Sequence, residues 1–140
     1  MEMNLEQMQG KVSVTVLRLK GNLDASNFEA VIAKAKEVYD GGGRYLLMDM
    51  DGVGFMSSSG LVALHSIALL MRGEQPHDLE SGWGVFHAIE KDRDSDSGFQ
   101  PHVKILNPQA GIKRTLEKTG MDAFFEIHTD LQTAVSSFNG

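Results

Sequence analysis

The fold class this sequence predicts is α/β, a layer of helices packed on a mostly parallel sheet, and three observations predict it. Short apolar runs of strand character alternate along the chain with segments of helical spacing. Glycine clusters, serine runs and an Asn-Pro step punctuate them. A length of 140 residues, 41% hydrophobic and 23% charged, is that of about one globular domain with an ordinary core.

The first strand is read from Lys11 to Lys20, where Val12, Val14 and Val16 alternate with Ser13 and Thr15. Gly21-Asn22 ends it. Ser26 and Glu29 have capping-box spacing, and Phe28, Val31, Ile32, Ala35, Val38 and Tyr39 follow at helical intervals until Gly41-Gly42-Gly43. Arg44 to Met50 reads as a strand covered on both faces, because its apolar run lacks alternation. Ser57-Ser58-Ser59-Gly60 opens a second helix, with Ser57 as the expected N-cap and Leu61, Leu64, Ala68 and Met71 inward. The stretch from about 72 to 100 is an expected insertion. In it Trp83, Val85, His87 and Ile89 alternate like a short strand, and Lys91 to Gly98 has the composition of a loop. His102 to Leu106 is a short strand. Gln109 to Thr119 is a helix closed by Gly120, with Ile112 and Leu116 inward. Phe124 to Ile127 is a further strand, and Thr129 or Asp130 caps a last helix carrying Leu131, Ala134, Val135 and Phe138. The expected architecture is a single domain over residues 1–140, four to five strands with about four helices.

Composition excludes several function classes. Without cysteine there are no disulfides, thiolate metal sites or cysteine nucleophiles. Thirteen basic residues against nineteen acidic ones leave a net charge of −6, which argues against a nucleic-acid partner. Met1 to Gln9 contains Glu2 and Glu6 and no apolar run, unlike a signal peptide, and no apolar stretch approaches the roughly 20 residues of a membrane span. A cytoplasmic location is expected.

The chemistry concentrates in the strand-to-helix junction Leu46 to Leu64, LLMDMDGVGFMSSSGLVAL. Asp49-Met50-Asp51-Gly52-Val53 resembles the first motif of haloacid-dehalogenase-type phosphotransferases, in which paired carboxylates at a strand end share Mg²⁺ and one attacks phosphorus. The rest of the chain opposes that reading. A strand and a helix precede the motif, and no later acidic pair stands at a strand end, where Asn107-Pro108 and Thr129-Asp130 are found instead. Asp92-x-Asp94-x-Asp96 lacks the glycine and glutamate of a calcium loop, since Ser97 and Val103 hold those positions. His65, His77, His87, His102 and His128 have no paired ligand spacing. Gly41-Gly42-Gly43 precedes a strand and lacks the Lys-Ser/Thr of a phosphate loop. No metal or cofactor is expected.

Taken whole, the junction resembles the signature of the STAS domain, the fold of the anti-sigma factor antagonists: an apolar strand ending in Asp (Leu46 to Asp49), an apolar stretch (Val53 to Met56), then a Ser-Gly-Leu turn (Ser57-Ser58-Ser59-Gly60-Leu61). Gly21-Asn22-Leu23-Asp24 is similar to the family's Gly-x-Leu-Asp turn. Leu106-Asn107-Pro108, Leu116 with Thr119-Gly120-Met121, Phe125 and a final helix follow in the family's order. The family has Asp where Ser57 stands here. Aligned from Gly60, its phosphorylated serine falls on Ser58, with Ser57 and Ser59 as alternatives. The resemblance implies a non-enzymatic regulatory module that binds an anti-sigma factor, often itself a serine kinase, and is released by phosphorylation. It implies a partner surface of Asn22, Asp24, Phe55, Met56, Ser57, Ser59, Gly60 and Leu61. The same fold also serves as an unphosphorylated scaffold or small-ligand sensor in larger signalling assemblies.

Overall fold

The computed structural model describes residues 1–73 and 100–139. Five strands form one sheet in the order β1-β2-β3-β4-β5. They are β1 (Glu2–Gln9), β2 (Ser13–Lys20), β3 (Leu46–Gly52), β4 (Val103–Leu106) and β5 (Ile127–His128). Strands β2 to β5 run parallel, and β1 folds back antiparallel on β2. The described helices are α1 (Phe28–Asp40), α2 (Ser58–Met71), α3 (Ala110–Thr119) and α4 (Leu131–Ser136). This is the mixed, mostly parallel α/β sheet that the sequence predicts. The expected strand at Trp83 to Ile89, the loop Lys91 to Gly98, and His77 and His87 lie outside the described residues.

β1 is an element the sequence pattern did not reveal. Of its residues only Met3 and Met8 are half-buried, so no two-residue period is written into Glu2–Gln9. Two expected boundaries also move. β3 begins at Leu46 and runs on to Gly52. Phe124 and Phe125 are not strand residues. Their N–H groups both donate to the Met121 carbonyl, at 3.1 and 2.8 Å, in a turn that drives both rings into the core before the short β5.

The sheet separates two apolar layers. On one face Leu17 and Leu19 of β2, Met48 and Met50 of β3 and Ile105 of β4 pack against Val31 and Ala35 of α1, Leu64 and Ile67 of α2, and Ile112 and Leu116 of α3. On the other, Val14, Val16, Leu47 and Leu106 receive Ala134, Val135 and Phe138 from α4 and the segment after it. β2 is therefore covered on both sides, with Thr15 as well as its valines buried. α2 goes further than the single inward face read from its spacing: every residue from Gly60 to Met71 is buried, as suits a helix apolar all round.

α4 is secured by a buried cation. Lys104 is only 6% exposed, and its Nζ donates to Ser137 Oγ at 2.9 Å, to the Ser137 carbonyl at 3.1 Å and to Glu126 Oε2 at 3.3 Å. The Ser137, His128 and Glu126 side chains meet, but not as a nucleophile relay. Glu126 Oε1 and Ser137 Oγ both approach Nε2 of His128, at 2.7 and 3.4 Å, and Ser137 Oγ donates to the Ala134 carbonyl at 2.6 Å. The cluster satisfies a buried ammonium rather than activating a hydroxyl.

Leu64 is 0% exposed between α2 and the sheet. Leu64→Ala is expected to cost about 2–5 kcal/mol in urea unfolding, with the transition still cooperative. A cost near zero would place α2 outside the core.

Candidate functional site

Because β2 and β3 run parallel, the loops that leave their carboxyl ends emerge side by side at one edge of the sheet. Main-chain hydrogen bonds lace these loops together. Gly21 N–H donates to the Gly52 carbonyl at 3.0 Å, Leu23 N–H to the Phe55 carbonyl at 2.9 Å, and Ser57 N–H to the Leu23 carbonyl at 2.9 Å. Leu23 and Met56 thus form a parallel bridge beyond the strand ends, with both side chains buried. Gly21 has φ +121°, a conformation that favours glycine at the start of the turn.

The β2–α1 loop holds its shape through side chains. Asn27 Oδ1 accepts from the Asp24 N–H at 3.0 Å, and Asn27 Nδ2 donates to the Asn22 carbonyl at 2.6 Å. Ser26 donates to Asp24 Oδ1 twice, from Oγ at 2.5 Å and from its N–H at 2.9 Å. The capping box expected at Ser26 therefore does not form. α1 starts at Phe28 with Asn27 in the N-cap position, because Ser26 is engaged by Asp24. The Ser26 hydroxyl, then its N–H, hold the Asp24 carboxyl below its ordinary pKa against a smaller opposing effect of desolvation. Asp24 is thus a fixed negative charge at this edge.

The β3–α2 loop buries Val53 and Met56 and exposes Gly54 and Phe55 between them. Val53 and Met56 point into the core, whereas Phe55 is 55% exposed, the most exposed large apolar side chain among the described residues. Ser57 occupies the N-cap position in extended conformation, but its side chain makes no cap bond. Its Oγ is buried with no hydrogen-bond partner among the described residues. The expected side-chain cap is corrected accordingly: the Ser57 carbonyl opens the helix instead, accepting from Gly60 N–H at 2.9 Å and Leu61 N–H at 3.3 Å. Ser58, the first helical residue, is exposed, and Ser59 is half-buried. Gly60 must be glycine, since a Cβ there would press on Met56 and stand 3.2 Å from the Leu23 carbonyl.

The structure therefore divides the predicted surface residues in two. Asn22, Asp24, Phe55, Ser58 and Ser59 present atoms to solvent along one edge, with Ser57 partly covered. Met56, Gly60 and Leu61 are buried and hold the edge from beneath. The pattern did not single out Leu23 as the strut, nor Asn27 as the side chain that shapes the turn. An Asn directly before a helical run is the signal for the latter. A third loop joins the same edge, where Gln109 Nε2 donates to the Asp51 carbonyl at 2.8 Å.

Of the two carboxylates of the phosphotransferase reading, that of Asp49 is engaged, and Asp51 is exposed. Asp49 lies 3.4 Å from Arg18 Nε and accepts the Asp51 N–H at 3.1 Å. Among the described residues no three His or acidic side chains converge as a metal site. No described helix is long and apolar enough to cross a membrane.

Comparison with known proteins agrees with this geometry. The STAS domain family model matches residues 6–74. An anti-sigma factor antagonist from Mycobacterium paratuberculosis superposes with a TM-score of 0.66 at 17% identity, over 97% of this chain and 92% of that one. The phosphorylated form of the Bacillus cell fate determinant SpoIIAA superposes with a TM-score of 0.56 at 18% identity, over 96% of both chains. No curated protein sequence matches the chain.

Gly60→Ala is expected to destabilise the fold by roughly 1–3 kcal/mol, through overpacking against Met56 and Leu23. Ser57→Ala is expected to change stability by less than about 0.5 kcal/mol, because the hydroxyl it removes has no partner to lose. Urea unfolding measures both, and a large cost at Ser57 would restore the side-chain cap. Asp24 also sets a pH dependence. Its folded pKa is depressed, so its contribution is full above the ordinary carboxylate range and disappears as pH falls through the lowered value. Asp24→Asn is expected to lower Tm at neutral pH and to converge with the parent at low pH. A Tm difference that stays constant into acid would contradict the assignment.

Proposed function

We propose that this chain, which carries a STAS domain over residues 6–74, is a regulatory protein-binding module of the anti-sigma factor antagonist kind, switched by phosphorylation of Ser58. The observation that supports this most is the placement of an exposed hydroxyl at the first residue of α2, on the edge that Leu23 laces to the Asp24 turn. The fold shared with the Mycobacterium antagonist and with phosphorylated SpoIIAA adds to it.

The physical account of the switch is local. A phosphate on Ser58 would sit at the amino end of α2, where first-turn N–H groups lack helical acceptors and the helix dipole favours an anion. α2 would therefore tolerate the modification without unfolding. At the surface the effect is opposite. The phosphate adds roughly −1.5 to −2 charges beside a carboxylate, Asp24, that is already held ionised. A partner shaped to the unmodified edge, with an apolar pocket for Phe55 and donors for Asn22 and Asp24, would face repulsion and a desolvation cost. By its likeness to the antagonists, the partner in this proposal is an anti-sigma factor that is itself a serine kinase. ATP would be bound by that kinase, and this domain would catalyse nothing and work in the cytoplasm.

With such a kinase and ATP, mass spectrometry is expected to find one phosphate on Ser58 and none on the Ser58→Ala variant. Partner binding is expected to survive Ser58→Ala and to weaken by about 1–3 kcal/mol in Ser58→Asp. Equal binding by the two variants, with phosphate found at neither Ser58 nor its neighbours Ser57 and Ser59, would favour an unphosphorylated scaffold instead.

A further inference from the structure

The turn that carries Asp24 spends one carboxylate oxygen and leaves the other. Oδ1 accepts the Ser26 hydroxyl at 2.5 Å and the Ser26 N–H at 2.9 Å. Those bonds fill both lone pairs of that oxygen. No hydrogen bond or ion pair reaches Oδ2 among the described residues. The main chain beneath is clamped separately. Asn27 accepts from the Asp24 N–H at 3.0 Å and donates to the Asn22 carbonyl at 2.6 Å, which engages both ends of its amide. The carboxylate is therefore tethered at one oxygen, above a fixed main chain, on the edge it shares with Phe55 and Ser58. The sequence pattern singled out the exposed Ser26 only as a helix cap, a role it does not have.

We infer that Ser26 is the positioning residue of this contact, and that a basic side chain of the partner meets Asp24 end-on, through a single N–H on Oδ2. The inference rests on the reading of this edge as the partner surface. Arginine's advantage over lysine at a carboxylate is its fork, two parallel N–H···O bonds that take both oxygens. With Oδ1 filled by Ser26, the second prong finds no vacant acceptor. The contact then selects the charge of the cation but not its shape. A carboxylate already held in its bound direction also loses less freedom on docking. Removing the Ser26 hydroxyl reverses both effects. The side chain turns more freely, and one lone pair on Oδ1 opens to a second prong. Ser26 further keeps the carboxyl charged to lower pH. Its hydroxyl and then its N–H lower the pKa, desolvation opposes them more weakly, and the positive amino terminus of Met1 adds the smallest share.

NMR titration of the Asp24 carboxyl carbon in the full chain alone is expected to show a higher pKa in Ser26→Ala than in the parent. Ser26→Thr, which keeps the hydroxyl, is expected to restore the parent value. In calorimetric titration with a purified anti-sigma kinase, Ser26→Ala is expected to bind roughly three- to tenfold more weakly, the size of one side chain's lost preorganisation. Its affinity is expected to start falling at a higher pH than that of the parent. Exchange of lysine and arginine at the kinase residue coupled to Asp24 is expected to leave affinity for the parent chain unchanged, and to favour arginine against Ser26→Ala. An Asp24 pKa unmoved in Ser26→Ala, or arginine preferred by the parent chain, would overturn the inference. So would Ser26→Ala binding as tightly as the parent while Asp24→Asn binds weakly, a result that leaves the reading of the edge intact. If Asp24→Asn also binds as tightly as the parent, or the parent does not bind the kinase, that reading falls and the inference with it.

Discussion

The main chain of Leu23 is the constraint on which the candidate site depends. With its N–H given to Phe55 and its carbonyl taken by Ser57, it extends the β2–β3 pairing past the end of both strands and fixes where α2 can begin. The candidate residues of the edge are all positioned from that bridge. Met56 is held inward by it, Phe55 is left outward, and Ser58 becomes the first residue of a helix whose remaining body is buried. Gly60 closes the arrangement by letting α2 pass within van der Waals distance of the Leu23 carbonyl.

This construction separates rigidity from chemistry. α2 is enclosed from Gly60 to Met71, so a charge added at Ser58 acts on the surface rather than on the packing of the helix. The neighbouring turn is equally determined. Asn27 holds the Asp24 main chain and Ser26 holds its carboxylate, and the Ser26 hydrogen bonds lower the carboxyl pKa. A platform of this kind would change charge without changing shape if Ser58 were phosphorylated as proposed, which is what a binding switch requires.

Much of this was legible in the sequence, and the reasons are specific. α2 and the parallel strands β2 to β4 bury apolar residues densely enough to announce themselves, and α3 shows through Ile112 and Leu116 at helical spacing before Gly120. The position of Ser58 followed from the resemblance to the STAS signature, aligned from Gly60, whereas the residues alone read only as a serine-rich helix start closed by a glycine turn. β1 was illegible because an exposed edge strand needs no apolar period. Ser26 misled because Ser and Glu at capping-box spacing do not exclude a competing Asp two residues earlier, and Asp24 won. Ser57 misled for a related reason. An N-cap residue type was read as a side-chain cap, whereas the helix start is set by its main chain. Hydrogen bonds between segments distant in sequence, Leu23 to Ser57 and Gln109 to Asp51 among them, leave no local pattern to read.

The central claim is that the working surface is the edge carrying Asn22, Asp24, Phe55 and Ser58. Chemical-shift mapping of the backbone amides during titration with an anti-sigma kinase tests it most directly. The account predicts perturbations concentrated from Asn22 to Asn27 and from Phe55 to Ser59, with β1 unaffected. Perturbations centred on β1 or on α4, with Asp24 and Ser58 unmoved, would contradict it.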